Sequence, residues 1–314
     1  MTSRRTVVRT GLALAVGGGL LGAAAPPTED GPAGRLRIAT GEESNFYLAF
    51  GRLLAAELTA ALPRLVAVAV PTEASVANLE MLEAGTADLA LTLADIAATA
   101  QAGAPPFRRR VPLRALGRVY ENYLQLAVRA DSPIATVAEL DGHVVSLSAA
   151  RSGAAVIGAR LLAAAGAHAT VRHLELPAAR DALRDGAIDA MLVSGGVPLA
   201  ALSTLDEEVG IRLLPLAPHL PALPGDGYEA VRVPAGAYHS GEVDTIGVAN
   251  LLVCRPDLPD EVAAAVTRVL VRRAGRLVPA QTVATQFLDV RALIGTGSVA
   301  LHPGAVETYR ALHG

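Results

Sequence analysis

The chain has 314 residues, 52% of them hydrophobic, with a mean hydropathy of +0.39 and a formal net charge of −3. It is too apolar to be intrinsically disordered, and its mildly acidic balance argues against a nucleic-acid surface. All 27 basic residues are arginine, which excludes lysine chemistry, and the single Cys254 excludes an internal disulfide or a multi-cysteine metal site. We expect neither a metal nor a cofactor.

The first 25 residues have the pattern of an export signal. Arg4 and Arg5 precede an uncharged, Gly-rich stretch of small and apolar residues that is too short for a typical membrane span. The arginine pair favours a twin-arginine signal, with an ordinary secretory signal as the alternative. Pro26 directly after the predicted exit should hinder cleavage, and an uncleaved leader would tether the protein to the membrane. Residues 26–35 read as a tether, and we predict an exported, periplasmic or extracytoplasmic protein.

Two successive segments then predict the same order of elements. Apolar runs and helical spacing predict strands at 36–40, 65–70 and 87–93, with helices at 46–61 and 75–83 between them. The second segment predicts strands at 143–148, 170–176 and 188–193, with helices at 152–165 and 178–184. Each βαβαβ order indicates a parallel sheet with helices on both faces, so we expect two similar lobes.

Two further apolar runs are interpreted as strands that cross between the lobes. They are Leu124–Arg129, outgoing, and Thr245–Cys254, returning. This assigns residues 36–125 and 250–314 to lobe I and residues 126–249 to lobe II. Residues 215–241 read as a loop, a helix is predicted over 261–277, and a last helix from about Ala305.

Candidate ligand contacts lie where the parallel strands end, because ligands bind at the carboxyl edge of such sheets. Ser44, Ser75 and Ser152 all precede predicted helices, so each is either a helix cap or a ligand contact. Asp95 could cap a helix or point into the cleft, and Arg151 could bind a ligand or lie in solvent. Facing helix N-termini would suit a small anion.

Catalytic motifs are weak in this sequence. It contains no G-x-S-x-G, H-E-x-x-H or strand-following G-x-G-x-x-G pattern, and we expect no catalytic residue. The enzyme alternative is an exported hydrolase using Ser152 or Ser194, which would need a histidine within hydrogen-bond reach of the serine.

Several short motifs in order carry a family resemblance that covers about residues 36–311. They are Ile38-Ala39-Thr40-Gly41 with Tyr47, Ser75-Val76-Ala77-Asn78-Leu79 with Asp95, Ser152-Gly153, Asp185-Gly186 with Ile188-Asp189-Ala190 and Gly195-Gly196, and Leu301-His302-Pro303-Gly304. Together they resemble the TAXI-type solute-binding proteins of tripartite ATP-independent periplasmic (TRAP) transporters.

The resemblance implies an α/β, two-lobed periplasmic-binding-protein fold (class II-like), with the two crossing strands as a hinge. It implies a receptor that closes on a small carboxylate or amino-acid-like ligand, such as a glutamate-like compound, and delivers it to a TRAP-type membrane permease. The alternative is the same scaffold acting as a ligand-sensing or partner-binding module. The combined candidate site is Glu43, Asn45, Tyr47, Ser75, Asp95, Arg151, Ser152, Gly153 and Ser194.

The sequence departs from the family pattern in the predicted cleft. Glu42 and Glu43 replace small neutral residues, Leu93 and Ala94 stand where Gln-Ser is usual, and Arg151 replaces a glycine. Because opposite charges enter equivalent loops of opposite lobes, we hypothesise that Glu42 or Glu43 faces Arg151 across the cleft, pairing on closure or holding the two ends of a zwitterion.

Overall fold

The computed structural model describes residues 31–43, 46–225, 227–279 and 290–313, and within these ranges ten strands and nine α-helices are found. The strands are β1 (Gly34–Ala39), β2 (Leu65–Val70), β3 (Leu89–Leu93), β4 (Arg114–Arg129), β5 (Val144–Ser146), β6 (Thr170–Arg172), β7 (Ala190–Gly195), β8 (Ile211–Leu213), β9 (Tyr228–Val233) and β10 (Val243–Cys254). The helices are α1 (Phe46–Ala61), α2 (Ser75–Glu83), α3 (Ala94–Ala102), α4 (Gly153–Ala165), α5 (Leu176–Arg184), α6 (Ala200–Val209), α7 (Asp260–Arg272), α8 (Val290–Leu293) and α9 (Pro303–His313). A membrane-spanning length of apolar helix is not found among the described residues.

All ten strands belong to one mixed sheet. Its main path runs β2-β1-β3-β10-β4-β7-β5-β6, with β8 added to β4 and β9 added to β10. Strand β1 is parallel to β2 and β3, and β5 is parallel to β6 and β7. The two predicted parallel units are therefore confirmed, and the antiparallel strands between them join the two lobes into a single sheet.

The two long central strands pass from one lobe to the other. Residues 250–254 of β10 pair with β3, whereas residues 243–248 pair with β9. Residues 114–123 of β4 pair with β10, and residues 123–128 pair with β7. The predicted crossing strands are confirmed, although β4 begins ten residues before the predicted Leu124. The residue limits of the lobes themselves stay a prediction.

The spacing of apolar residues in helix α1 determines which face of the helix packs on the sheet. Phe46, Phe50, Leu54 and Leu58 recur every four residues and are all buried, so one face of the helix packs on the sheet. The rings of Phe46 and Phe50 meet the ring of Tyr120 with centroids 4.6 and 5.3 Å apart. Burying each such side chain contributes about 1.5–3 kcal/mol.

One hydrophobic cluster contains side chains from both lobes. It brings Ile96 and Ala97 of α3 together with Ile157 and Leu161 of α4. Separate clusters lie under α1 and α7 in lobe I and under α5 and α6 in lobe II. The lobes therefore pack directly on each other through α3 and α4.

Several elements differ from the sequence predictions. No bounds were predicted for helices α3, α6 and α8 or for strand β8, and β9 lies inside the predicted loop over 215–241. The helix predicted over 261–277 ends at Arg272. The run predicted as a strand over 170–176 splits, because Leu176 begins α5. Pro177 directly after it explains the split, since proline is favoured in the first turn of a helix and has no N–H to donate to a sheet.

Candidate functional site

A small cavity lies between the lobes, at the carboxyl ends of the parallel strands. Its volume is about 40 Å³. Since one water molecule needs roughly 10–15 Å³ by this measure, the space equals about three water molecules. The residues that line it are Glu42, Tyr47, Glu73, Ala74, Ser75, Leu93, Asn122, Ser148, Ser152, Gly153, Ala154, Leu176, Val193, Ser194 and Leu199.

The lobe I wall carries two buried hydroxyl groups. The Tyr47 hydroxyl donates to the Oδ1 atom of Asn250 and lies 3.4 Å from the Oγ atom of Ser75. Burial raises the pKa of Tyr47, so its hydroxyl stays protonated. The Ser75 Oγ accepts the N–H of Leu93 at 3.2 Å. Ser75 is not the expected cap, because it is the first residue of α2 and Ala74 holds the capping position.

The lobe II wall is the beginning of helix α4. The Ser152 side chain caps this helix by accepting the N–H of Ala155 at 3.1 Å, as one of its two sequence interpretations expects. The N–H groups of Gly153 and Ala154 lie in the first turn, where a helix has no internal acceptor for them. Both residues line the cavity, so this wall can donate two backbone hydrogen bonds to a negatively charged group, supported by the helix dipole.

The backbone is strained on both sides of the cavity. Among the described residues, positive φ values outside glycine occur at Ala74, with φ 77°, and at Ser148, with φ 65°. Such conformations cost about 1–3 kcal/mol each, and they concentrate at ligand sites, where the surrounding structure holds them in place. Ala74 lies in lobe I and Ser148 in lobe II, and both line the cavity. The strain therefore marks this cavity as the candidate functional site.

Arg151 crosses from lobe II to lobe I with both its backbone and its side chain. Its carbonyl oxygen accepts the N–H groups of Val76 and Ala77 at 3.1 and 3.2 Å, which caps the start of α2 from the opposite lobe. Its guanidinium contacts Glu73 at 2.9 Å and Glu80 at 3.0 Å. N–H groups at the start of α2 thus have an acceptor within the chain, whereas the start of α4 faces the cavity.

Glu42 makes a second polar contact between the lobes. Its Oε2 atom accepts the N–H of Leu176 at 3.0 Å, which places the carboxylate at the first turn of α5. Burial raises the pKa of Glu42, while the hydrogen bond from Leu176 opposes this shift. A helix N-terminus is a favourable place for a carboxylate, and this explains how Glu42 is held half-buried.

Asp95 lies behind the cavity, in a buried ion pair that joins the lobes. Its Oδ2 atom is 2.9 Å from Arg160 of α4 and accepts the Tyr228 hydroxyl at 2.8 Å. The Asp95 side chain is 1% exposed, and burial raises its pKa to about 6 against the opposing effects of Tyr228 and Arg160. Asp95 is therefore placed to hold α3 against α4, and it does not line the cavity.

Comparison with known proteins identifies the family. A model of the NMT1-like family matches residues 38–311. The chain belongs to the NMT1-like family. It is also similar to the solved structure of the periplasmic aliphatic sulphonate binding protein SsuA from Escherichia coli, with 18% identity over 89% of this chain and 83% of that one and a TM-score of 0.47. A second similar structure is the alkanesulfonate-binding protein SsuA from Xanthomonas axonopodis pv. citri bound to MOPS, with 19% identity over 89% of this chain and 84% of that one and a TM-score of 0.45. A third similar structure is an ancestral arginine-binding protein bound to arginine (14%, 78% and 95%, 0.49).

In this NMT1-like protein, five of the predicted site residues line the cavity. They are Tyr47, Ser75, Ser152, Gly153 and Ser194. Asp95 lies behind the cavity. Arg151 lies on the surface, where it forms ion pairs with Glu73 and Glu80. Glu43 is exposed and is paired with Arg52 at 2.8 Å. Asn45, like Ser44, lies outside the described residues. No group of three histidine, cysteine, aspartate or glutamate residues suited to a metal ion occurs in the described ranges.

The hypothesis that Glu42 or Glu43 pairs with Arg151 is wrong for this conformation, whereas the alternative, in which they hold the two ends of a zwitterion, stays a prediction. Opposite charges do meet between the lobes, but Arg151 binds Glu73, whereas Glu42 binds the α5 backbone and Glu43 binds Arg52. The physical reason is the backbone of Arg151. Its carbonyl caps α2, and this holds its guanidinium beside Glu73, which precedes that helix, and Glu80, which lies within it.

Sequence reasoning missed the Asn122 side chain and did not single out Glu73 or Ser148. Glu73 and Ser148 are polar residues in loops that follow predicted strands, so the rule that ligands bind at strand ends could have identified them. Asn122 had no such signal, because the first part of β4 was not predicted as a strand. Its Nδ2 atom donates to the Ser194 Oγ at 3.0 Å inside the cavity.

Replacing Arg151 with alanine is expected to lower the free energy of unfolding by less than about 1 kcal/mol. Its ion pairs are weak because its side chain is 54% exposed, and the backbone bonds to α2 need no side chain. Urea denaturation of the full chain measures this, with Arg52→Ala, which breaks another exposed pair, as the matched control. A loss above about 2 kcal/mol, well beyond an exposed pair, would contradict this account.

Proposed function

We propose that this chain is an exported solute-binding receptor whose lobes close on a small carboxylate or amino-acid-like ligand. In this proposal the leader directs export, residues 36–125 and 250–314 form lobe I, and residues 126–249 form lobe II. The ligand is then delivered to a TRAP-type membrane permease, to which the closed form of the lobes signals occupancy.

The observation that carries this proposal is the cavity between the lobes with a strained residue on each wall. Ala74 from lobe I and Ser148 from lobe II both adopt positive φ there. Strain of this kind persists where function requires it. The two crossing strands give the lobes a common axis, so opening and closing about them would change the size of this cavity while leaving each parallel unit intact.

The chemistry of the walls supports a ligand with a carboxylate. The N–H groups of Gly153 and Ala154 at the start of α4 form a site for one negatively charged group. Ser75 and Ser194 add hydroxyl groups that can donate or accept. The current volume, about 40 Å³, indicates that the lobes lie close together in this conformation and would open to admit an amino acid.

The hydrolase alternative has no support from the positions of its proposed nucleophiles. The Ser152 Oγ serves as the cap of α4, and the Ser194 Oγ accepts a hydrogen bond from Asn122. His173 contacts the lining residue Ser148, but its Nδ1 atom lies 3.2 Å from the backbone oxygen of that residue. A general base would have to be beside one of the two hydroxyls.

Thermal unfolding of the full chain against amino acids, hydroxy acids, dicarboxylates and amines tests the proposal. A ligand present at about 100 times its Kd adds about 2.7 kcal/mol, which raises the Tm of a domain of this size by several degrees. We expect such a shift with one class of small polar compound. The shift should be lost in Ser194→Leu, which fills the cavity, and kept in Thr204→Leu on the exposed face of α6. No shift with any compound would contradict the proposal.

A further inference from the structure

We infer that the cavity recognises its ligand through a positively charged nitrogen held by Glu42 and Asn122, and that it discriminates against a second carboxylate. The inference rests on the proposed function and specifies the ligand class of the same site. It derives from the distribution of acceptors and charges around the cavity.

The first observation is a buried acceptor that lacks a donor. Asn122 is 2% exposed, and its Nδ2 atom donates to the Ser194 Oγ at 3.0 Å. Its Oδ1 atom is buried and has no hydrogen-bond partner among the described residues. Leaving such an atom unsatisfied is unfavourable, and a carbonyl oxygen can only accept. Asn122 lines the cavity, so a ligand donor that reached its Oδ1 atom would satisfy this acceptor.

The second observation is the charge of the wall. Among the described lining residues, the charged side chains are two carboxylates, Glu42 and Glu73. Glu73 is neutralised by Arg151, which approaches its Oε1 atom through both Nε and a terminal nitrogen, at 3.0 and 2.9 Å. Glu42 has a neutral backbone donor, the N–H of Leu176, and no ion pair within the described residues. One carboxylate of the wall thus lacks a cation.

These two features fit an ammonium group. A primary ammonium has three donors and a full positive charge, so its chemistry matches both an acceptor without a donor and a carboxylate without a cation. A cation next to Glu42 would also favour the charged carboxylate, and this would oppose the effect of burial, which raises the pKa of Glu42. A ligand carboxylate at the start of α4 would use the N–H groups of Gly153 and Ala154 on the opposite lobe.

The same wall disfavours a dicarboxylate. A second ligand carboxylate would approach Glu42, and two like charges close together in a partly buried cavity repel each other. It would also offer Asn122 Oδ1 an acceptor in place of a donor. Glu42 is therefore the residue that sets the preference for an amine over an acid at this end of the ligand.

Matched ligands separate this inference from the proposed function. Isothermal titration of the full chain would compare β-alanine, 3-hydroxypropionate and succinate, and in parallel γ-aminobutyrate, 4-hydroxybutyrate and glutarate. Within each set we expect the amine to bind at least about tenfold more tightly than the dicarboxylate. Tighter binding of succinate or glutarate overturns the inference and leaves the receptor intact, whereas no binding here and in the wider thermal panel overturns the proposed function itself.

Glu42→Gln tests the residue directly, because it removes the charge and keeps the shape. We expect the affinity for the amine of the better set to fall about tenfold or more and that for its hydroxy analogue to change less than about threefold. The matched control is Glu43→Gln, the neighbouring acid, which is exposed and outside the cavity and should change neither. An equal loss for both ligands in Glu42→Gln assigns Glu42 a merely structural role and overturns the inference.

Discussion

Replacing Arg160 with methionine is expected to destabilise the folded chain by about 3–5 kcal/mol at pH 8. The change leaves the Asp95 carboxylate, 1% exposed, without the guanidinium that now lies 2.9 Å away. It also removes the hydrogen bond from Arg160 to the Thr99 Oγ1, at 3.0 Å. Because Asp95 and Thr99 lie on α3 and Arg160 lies on α4, the loss would loosen the contact between the lobes.

The effect of Arg160→Met should depend on pH in a defined direction. In the folded chain the pKa of Asp95 is raised to about 6, above its value near 4 in the unfolded chain. The folded state therefore holds the proton more tightly, so the stability contributed by this group is greatest below about pH 4 and is lost as pH rises through about 6. Without Arg160 this pKa rises further, so the destabilisation should be large at pH 8 and clearly smaller at pH 5.

Urea denaturation at several pH values measures this prediction. Adding Asp95→Asn to Arg160→Met removes the buried charge and should recover part of the stability at pH 8, with a weaker dependence on pH. Arg52→Met, which breaks an exposed pair with Glu43, should cost less than about 1 kcal/mol. A loss for Arg160→Met as small as that of Arg52→Met would show that the Asp95 pair does not hold the lobes.

Gly153→Val is expected to reduce ligand affinity by about 10–100-fold, because it prevents the lobes from closing. A Cβ atom at this position would lie 2.7 Å from Leu93 Cδ1, 2.9 Å from Ser75 Oγ and 3.2 Å from Ile96 Cγ1. All three atoms belong to lobe I, while Gly153 begins α4 in lobe II. Overpacking of this kind costs about 1–3 kcal/mol, and each 1.4 kcal/mol corresponds to about a factor of ten in affinity.

The control for Gly153→Val is Gly275→Val, at an exposed position where a Cβ atom meets nothing within 4 Å. Small-angle scattering with ligand present should give a larger radius of gyration for Gly153→Val than for the unchanged chain or the control. Unchanged compactness and unchanged affinity in Gly153→Val would contradict the close approach of the lobes at this glycine.

The parts of the fold that the sequence predicted well are those with strong local patterns. Helix α1 has apolar residues every four positions and ends before Pro63, and its observed limits match the prediction, as do those of β2 and α2. The first part of β4 carries Arg118, Glu121 and Asn122, which break the apolar pattern of a strand. Those side chains are accommodated by tertiary partners that no local pattern encodes, since Arg118 pairs with Glu229 of β9 at 3.3 Å and Asn122 donates to Ser194 of β7 at 3.0 Å.

The candidate site was predictable to the extent that it follows from sheet topology. The rule that ligands bind at strand ends identified the segments containing Ser75, Ser152 and Ser194, and the family resemblance added Tyr47; all four residues line the cavity. The rule does not determine which way a side chain turns once the lobes meet. Asp95 turns to Arg160 of the opposite lobe, and Arg151 turns to Glu73, so both leave the cavity for ion pairs that depend on lobe packing.

The most direct test of the receptor is equilibrium binding to the full chain and to Gly153→Val, measured side by side by isothermal titration. The ligand would be the compound that raises the Tm of the unchanged chain most in the thermal panel. We predict saturable binding of one ligand per chain, weakened by about tenfold or more in Gly153→Val and unaffected in Gly275→Val. Equal affinity in all three proteins would place binding outside the cavity between the lobes and contradict the account.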